Sequence, residues 1–120
     1  MAIAQHLPVY KSTRDLAQLV ADLIKNWRKD FRRALGERAL DECFQLAILI
    51  FRANVASGQA RAEFIQQARE CLQVIELSLR LAADLRLITP EQHGRIIQLT
   101  DDIGRQATGW KRNAAASPAT

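Results

Sequence analysis

The sequence predicts an all-α protein: an antiparallel up-down-up-down four-helix bundle. Apolar residues recur at steps of three and four in four separate segments, which is the pattern of amphipathic helices that each bury one stripe. Proline and glycine are sparse. Pro8, Pro90 and Pro118 all fall outside the long periodic segments, and there are only five glycines. That distribution favours long uninterrupted helices over sheets with many turns. With 120 residues, the chain can form one domain around a single core.

Residues 1–11 are mixed in character and broken by Pro8, so a flexible N-terminal segment is expected there. Ser12-x-x-Asp15 has the form of a capping box, and the bundle is expected over 12–112. The first helix is predicted over about 12–29, with Leu16, Leu19, Val20, Leu23 and Trp27 on one stripe. Trp27 continues that stripe and reads as a core anchor. Gly36 marks the expected connection to the second helix.

The second helix is predicted over about 37–56. Leu40, Phe44, Ala47, Ile48, Phe51 and Val55 form its expected core stripe, and Leu46, Leu49, Ile50 and Ala53 lie to its side. A bundle core needs only about three apolar positions in seven. This helix exceeds that, so its second face (Leu46, Leu49, Ile50) is a candidate subunit interface. Ser57-Gly58 closes the helix.

The third helix is predicted over about 59–86, with Phe64, Ala68, Cys71, Leu72, Ile75, Leu79 and Ala82 inward. A second stripe of Val74, Leu77, Leu81 and Leu85 makes Val74, Leu77 and Leu81 further interface candidates. Thr89-Pro90-Glu91-Gln92 is the clearest local signal. Thr89 caps, Pro90 suits the first helical position and Gln92 completes the box. The fourth helix is expected over about 90–111 on Ile96, Leu99, Ile103, Ala107 and Trp110, with Gly104 and Gly109 allowing close approach. Residues 113–120 read as a disordered tail.

Residue types argue against catalysis. A di-metal bundle needs inward Glu-x-x-His pairs, and none occurs. His6 and His93 are isolated, so no metal and no cofactor are expected. The serines have no histidine at a suggestive position, and the carboxylates are spread over outer helix faces, so the chain is not expected to be an enzyme. Cys43 and Cys71 form no Cys-x-x-Cys pair and sit in apolar helical stretches, as buried free thiols of a reducing compartment do. The N-terminus lacks the features of a signal peptide, and no apolar run spans a membrane, so a cytoplasmic location is expected.

Charge is the remaining clue. The net charge is +4 and the isoelectric point about 9.6. Between Lys25 and Arg38 six basic residues (Lys25, Arg28, Lys29, Arg32, Arg33, Arg38) face two acidic ones (Asp30, Glu37), so this segment alone carries a local excess of +4. It reads either as a solvated helix end favoured by the helix dipole or as a phosphate-gripping patch. Few aromatics interleave with it, which disfavours base stacking. Arg80 lies in the apolar run Leu-Ser-Leu-Arg-Leu-Ala-Ala-Asp-Leu. It reads either as an ion pair with Glu76 or Asp84, or as a subunit or polyanion contact.

Several motifs carry a family resemblance. They are Asp30-Phe31-Arg32-x-x-Leu35-Gly36-Glu37-Arg38, Ile50-Phe51-Arg52-Ala53-Asn54, Leu79-Arg80-Leu81-Ala82-x-Asp84-Leu85 and Ile103-Gly104-Arg105-Gln106-x-x-Gly109-Trp110. Over about 9–112 the chain resembles the small bacterial four-helix-bundle family of 23S ribosomal RNA intervening-sequence proteins and accessory variability determinant proteins of diversity-generating retroelements. The resemblance implies a ring-like homopentamer with a basic surface. In the retroelement branch it implies a non-enzymatic partner of a reverse transcriptase and of nucleic acid; in the other branch, association with RNA. Genomic context separates the two branches. The arginines that match the shared pattern are Arg32, Arg38, Arg52, Arg80 and Arg105.

Together these readings give a nucleic-acid-binding set of Arg28, Lys29, Arg32, Arg33, Arg38, Arg52, Arg80 and Arg105 on a basic homo-oligomer. The expected partners are RNA or an RNA–protein complex, with no membrane. The alternative is a homo-oligomeric scaffold or adaptor that binds a protein partner without nucleic acid.

Overall fold

The computed structural model describes residues 7–116, which form four long helices and no strand. Helix α1 spans Pro8–Ile24, α2 Glu37–Val55, α3 Gly58–Asp84 and α4 Pro90–Ala116. A short helical segment (Lys29–Phe31) and a π-helical turn (Arg32–Gly36) lead directly into α2. Each helix packs on two neighbours, α1 on α2 and α4, α3 on α2 and α4, so that α1 and α3 lie across the diagonal. The result is the up-down-up-down bundle the sequence predicts. Leu16, Val20, Leu46, Ile75, Leu79, Ile96 and Ile103 fill its centre.

Several boundaries differ from expectation. Helix α1 begins at Pro8, so Pro8–Lys11 belong to the bundle and not to a flexible segment. Leu7 is extended (φ −71°, ψ 136°), and Pro8 supplies a preset φ at the start of the helix. Ser12 is therefore no cap. Its hydroxyl donates across the bundle to Asp102 Oδ2 (2.9 Å), which also accepts from Gln106 Nε2 (2.9 Å). Helix α4 continues past residue 112 through Ala116. The rest of the expected tail, 117–120, lies outside the described residues, as does His6.

Gly36 is not the connection either. The chain turns at 25–28, where the Trp27 amide donates to the Ile24 carbonyl (3.1 Å) and the indole is buried as expected. The π turn then carries buried Gly36 against that corner. A Cβ on Gly36 would stand 3.0 Å from Ile24 Cβ and Cγ2 and 3.2 Å from Trp27 Cε3. Hydrogen is the only side chain that fits.

The largest correction concerns α2. Leu46, Leu49 and Ile50, expected at a subunit interface, are 1%, 6% and 2% exposed in the protomer's own core. The expected core residues Phe44 and Phe51 are 54% and 53% exposed, and Ile48 and Val55 stand beside them. The inward face is turned by somewhat more than a third of a turn from the reading, so that Leu40 and Ala47 stay half-buried at its edge, and the face that enters is built partly on small residues. Ala39, Cys43 and Ala53 are fully buried and admit α1 and α3 at close range. On α3, Val74, Leu77 and Leu81 are exposed on the protomer, with Leu85.

Two ends are closed by specific polar contacts. Thr89 and Gln92 cap α4 reciprocally as the sequence predicts. The Gln92 amide donates to Thr89 Oγ1 (3.1 Å) and the Thr89 amide to Gln92 Oε1 (2.9 Å). At the C-terminus of α2, Arg61 donates through Nε to the Ala53 carbonyl (2.9 Å) and through Nη2 to that of Asn54 (3.2 Å), while its guanidinium lies over the Trp110 ring. One side chain thus ties α2, α3 and α4 together and satisfies carbonyls that the helix end leaves open.

Gly36→Ala is expected to lower stability by about 1 kcal/mol or more. Ile24 Cβ is fixed to its backbone and cannot rotate away, and overpacking of this kind costs about 1–3 kcal/mol against a smaller gain in helix propensity. Urea denaturation of the two proteins measures it, and equal midpoints would refute the tight corner.

Candidate nucleic-acid interface

The sequence-predicted cations do not form one patch. Arg28, Lys29, Arg32, Arg33 and Arg38 gather at one end of the bundle, around the α1–α2 connection and the π turn. The α3–α4 connection, residues 85–89, reaches the same end, since α3 packs against that turn. It brings Arg86, which the sequence reading left as a mere helix end. Arg86 holds a left-handed conformation (φ 60°), and its amide donates to the Ala83 carbonyl while that of Leu87 donates to Ala82. These two bonds close α3 where glycine is the usual residue. The arginine is thereby held exposed on the tip of the turn.

Not all of these charges are available. Arg28 is committed to Asp30: its Nη2 lies 2.7 Å from Oδ2 and its Nε 3.3 Å from Oδ1, and its guanidinium sits over the Phe31 ring. That hydrogen bond lowers the Asp30 pKa and raises that of Arg28. Lys25 pairs with Asp22 at 3.6 Å. Lys29, Arg33 and Arg38 are exposed and make no ion pair within 4 Å among the described residues; Arg32 is half-buried and likewise unpaired. This end of the bundle therefore gathers several basic side chains outside ion pairs, beside the exposed acidic residues Glu37, Asp84 and Glu91 at the adjoining helix ends.

The other three predicted residues lie elsewhere. Arg52 sits apart, on the wall of a shallow α2–α3 groove of about 370 Å³ with Glu42, Glu70 and Cys71. Arg80 and Arg105 both line the furrow between α3 and α4, Arg80 beside His93 and Asp101, Arg105 nearer the C-terminus of α4. Arg80 makes no ion pair with Glu76 or Asp84 within 4 Å. It reaches water instead, so the expected pairing is absent. Arg105 approaches Asp102 at 3.9 Å.

The α3–α4 furrow has a volume of about 580 Å³. Gly104 and Gly109 make it: a Cβ on Gly104 would meet only Leu72 Cδ2 at 3.6 Å, and one on Gly109 would meet nothing within 4 Å. They open space at the surface and do not draw the helices together. Its walls add Arg69 and Arg112 to Arg105, two residues that sequence periodicity left unremarked because they are far apart along the chain.

Among the described residues no group of three or more His, Cys, Asp or Glu is placed to hold a metal, and no helix is long and apolar enough to cross a membrane. Both thiols are free. Burial first, then the charge of Glu42, pushes the Cys43 pKa up to about 12. Burial, then a hydrogen bond with Glu42 and the charges of Glu42 and Glu70, pushes that of half-buried Cys71 up to about 11. Both shifts favour the neutral thiol in the folded state. Their contribution to stability is therefore complete below about pH 9, the ordinary thiol range, and is lost as pH rises through 11 to 12.

Comparison with known proteins agrees with this architecture. The sequence model of a family described as bAvd-like matches residues 7–114, nearly the whole described chain. No curated protein matches.

Iodoacetamide labelling of Cys71 is expected to be slow at pH 8, where about a thousandth of a thiol with a pKa near 11 is ionised. The rate should climb about tenfold per pH unit and level off no lower than about pH 11. Mass spectrometry of timed samples follows it, and a plateau at pH 9 would contradict the environment described.

Proposed function

Because the chain belongs to the bAvd-like family, we propose that it is a non-enzymatic accessory protein of the diversity-generating retroelement kind, which assembles with copies of itself and docks on RNA or an RNA–protein complex. The partner class that fits is a reverse transcriptase and the RNA it copies, in the cytoplasm. The family match carries this reading, and two features of the protomer support it. The first is the pair of outward apolar stripes, Phe44–Ile48–Phe51–Val55 on α2 and Val74–Leu77–Leu81–Leu85 on α3, all more than two-fifths exposed. Single exposed hydrophobes are ordinary, but two helical stripes of them mark surfaces that associate. The assembly proposed is a homopentamer. The second is the end of the bundle where Lys29, Arg32, Arg33, Arg38 and Arg86 gather, none of them in an ion pair within 4 Å among the described residues.

The mechanism follows from the residue types. Arginines on rigid helices grip phosphates without reading bases. Assembly repeats each protomer's cationic end around one ring, so a modest charge per chain becomes a dense field. Docking would then be steeply salt-dependent and tolerant of sequence. The protomer acts as a positioner: its apolar stripes hold it in the assembly, and its cations hold the nucleic acid.

Two measurements test this. Replacing Arg32, Arg33 and Arg38 with Glu should abolish retention of structured RNA in filter-binding titrations across salt concentrations, with native mass unchanged. RNA retention equal to wild type would instead favour the adaptor reading, in which only proteins are bound. Phe51→Glu and Leu77→Glu, both at exposed positions, should each leave a folded protein of monomer mass by light scattering, and an unaltered oligomer in both would remove the stripes as the interface.

A further inference from the structure

The α3–α4 furrow carries its charge unevenly along its length. The acidic residues Glu76 and Asp101 lie at its middle, shared with the smaller hollow that holds Arg80 and His93. The half nearer the C-terminus of α4 holds Arg69, Arg105 and Arg112 with the Thr108 hydroxyl. Lys111 stands beside them. Its Nζ donates to Gln66 Oε1 at 2.7 Å, and Arg69 Nη1 donates to the same oxygen at 3.4 Å. Two cations thus converge on one neutral amide. Among the described residues, Arg69, Lys111 and Arg112 have no carboxylate within 4 Å. The Gln66 amide donates in turn to Glu70 Oε2 at 3.4 Å, and Arg105 approaches Asp102 at 3.9 Å, so two carboxylates stand near four cations. The remaining like charges raise the local potential, and an anion would relieve it.

We propose that this half of the furrow binds consecutive phosphates of a single-stranded nucleic acid, through Arg69, Arg105, Lys111 and Arg112. The proposal rests on the nucleic-acid reading above and adds to it a second contact surface, along the side of the bundle. The shape selects the ligand class. Arg105 and Arg112 are seven residues apart on one helix, about 10 Å, which is room for more than one phosphate. The furrow is open along its length and has no enclosed pocket for a lone nucleotide. An extended single strand, whose backbone bends freely, can lie along such an open surface furrow between two packed helices. No aromatic ring lines it, so bases are not stacked and contact is with the backbone alone. Glu76 and Asp101 repel the strand at the far end and so limit the track to the arginine half.

The test uses the full chain in its assembled state and a labelled 20-nucleotide oligouridylate, followed by fluorescence anisotropy from low to moderate salt. Each phosphate contact on a single strand contributes about 0.7 to the slope of log affinity against log salt. Arg69→Gln combined with Arg112→Gln is expected to lower that slope by about 1.4, the value for two lost contacts. Gly109→Glu adds a carboxylate where nothing lies within 4 Å, so it should fold normally and also weaken binding. Wild-type affinity and slope in both variants would overturn the furrow. If they occur while glutamates at Arg32, Arg33 and Arg38 abolish binding, the furrow proposal falls and the general reading stands. A wild-type protein that binds no oligouridylate at low salt but retains structured RNA overturns the furrow alone, and one that binds neither overturns both readings.

Discussion

Helix α2 carries two apolar faces, and the core of one protomer can admit only one of them. The face that enters is the one with Ala39, Cys43 and Ala53 spaced among Leu46, Leu49 and Ile50. Small residues let neighbouring helices approach closely, and the larger aliphatics fill what remains, so this face packs densely. The face with Phe44 and Phe51 is bulkier and is left outside. Once that choice is made, much else follows. The orientation of α2 sets which side of α3 it meets, and so turns Val74, Leu77, Leu81 and Leu85 outward. The chain enters α2 through a π turn, which seats Gly36 against Ile24 and Trp27.

Arginines in this protein do two different jobs, and their composition does not separate them. Arg61 is structural: it closes the end of α2 and stacks on Trp110, so its charge is spent on carbonyls inside the bundle. Arg28 is similarly occupied by Asp30. Lys29, Arg33, Arg38 and Arg86 stand exposed without an ion pair within 4 Å among the described residues. Arg69 and Lys111 are a third case, since both lean on the neutral oxygen of Gln66 and keep their full charge. An electrostatic role is assigned by the acceptor each guanidinium already has, and a count of basic residues cannot supply it.

The site was less legible than the fold because its residues are distant in sequence. Lys25–Arg38 announced itself as a run. Arg86 joins that end only because α3 and α4 turn there, and Arg69, Arg105 and Arg112 share a furrow only because α3 and α4 run antiparallel with glycines between them. A spacing signal for the furrow did exist: Gly104 and Gly109 lie on one helix among Thr100 and Thr108, a sequence of small residues that opens a surface. Spacing alone predicts close packing there equally well, because small residues permit either outcome.

By itself the sequence determined the four helices, their antiparallel order and the reciprocal cap at Thr89 and Gln92. These depend on periodicity and on contacts within a few residues, which the chain displays directly. It also determined that α2 and α3 have more apolar surface than one bundle can bury. Which face of α2 turns inward, where the first connection falls and which cations remain unpaired were decided only by tertiary structure. The physical reason is that each depends on steric fit or charge pairing between helices, at Ala53, at Gly36 against Ile24 and Trp27, and at Arg69 and Lys111 around Gln66. Those are properties of the assembled core, and hydrophobic spacing along one helix is the same for either face.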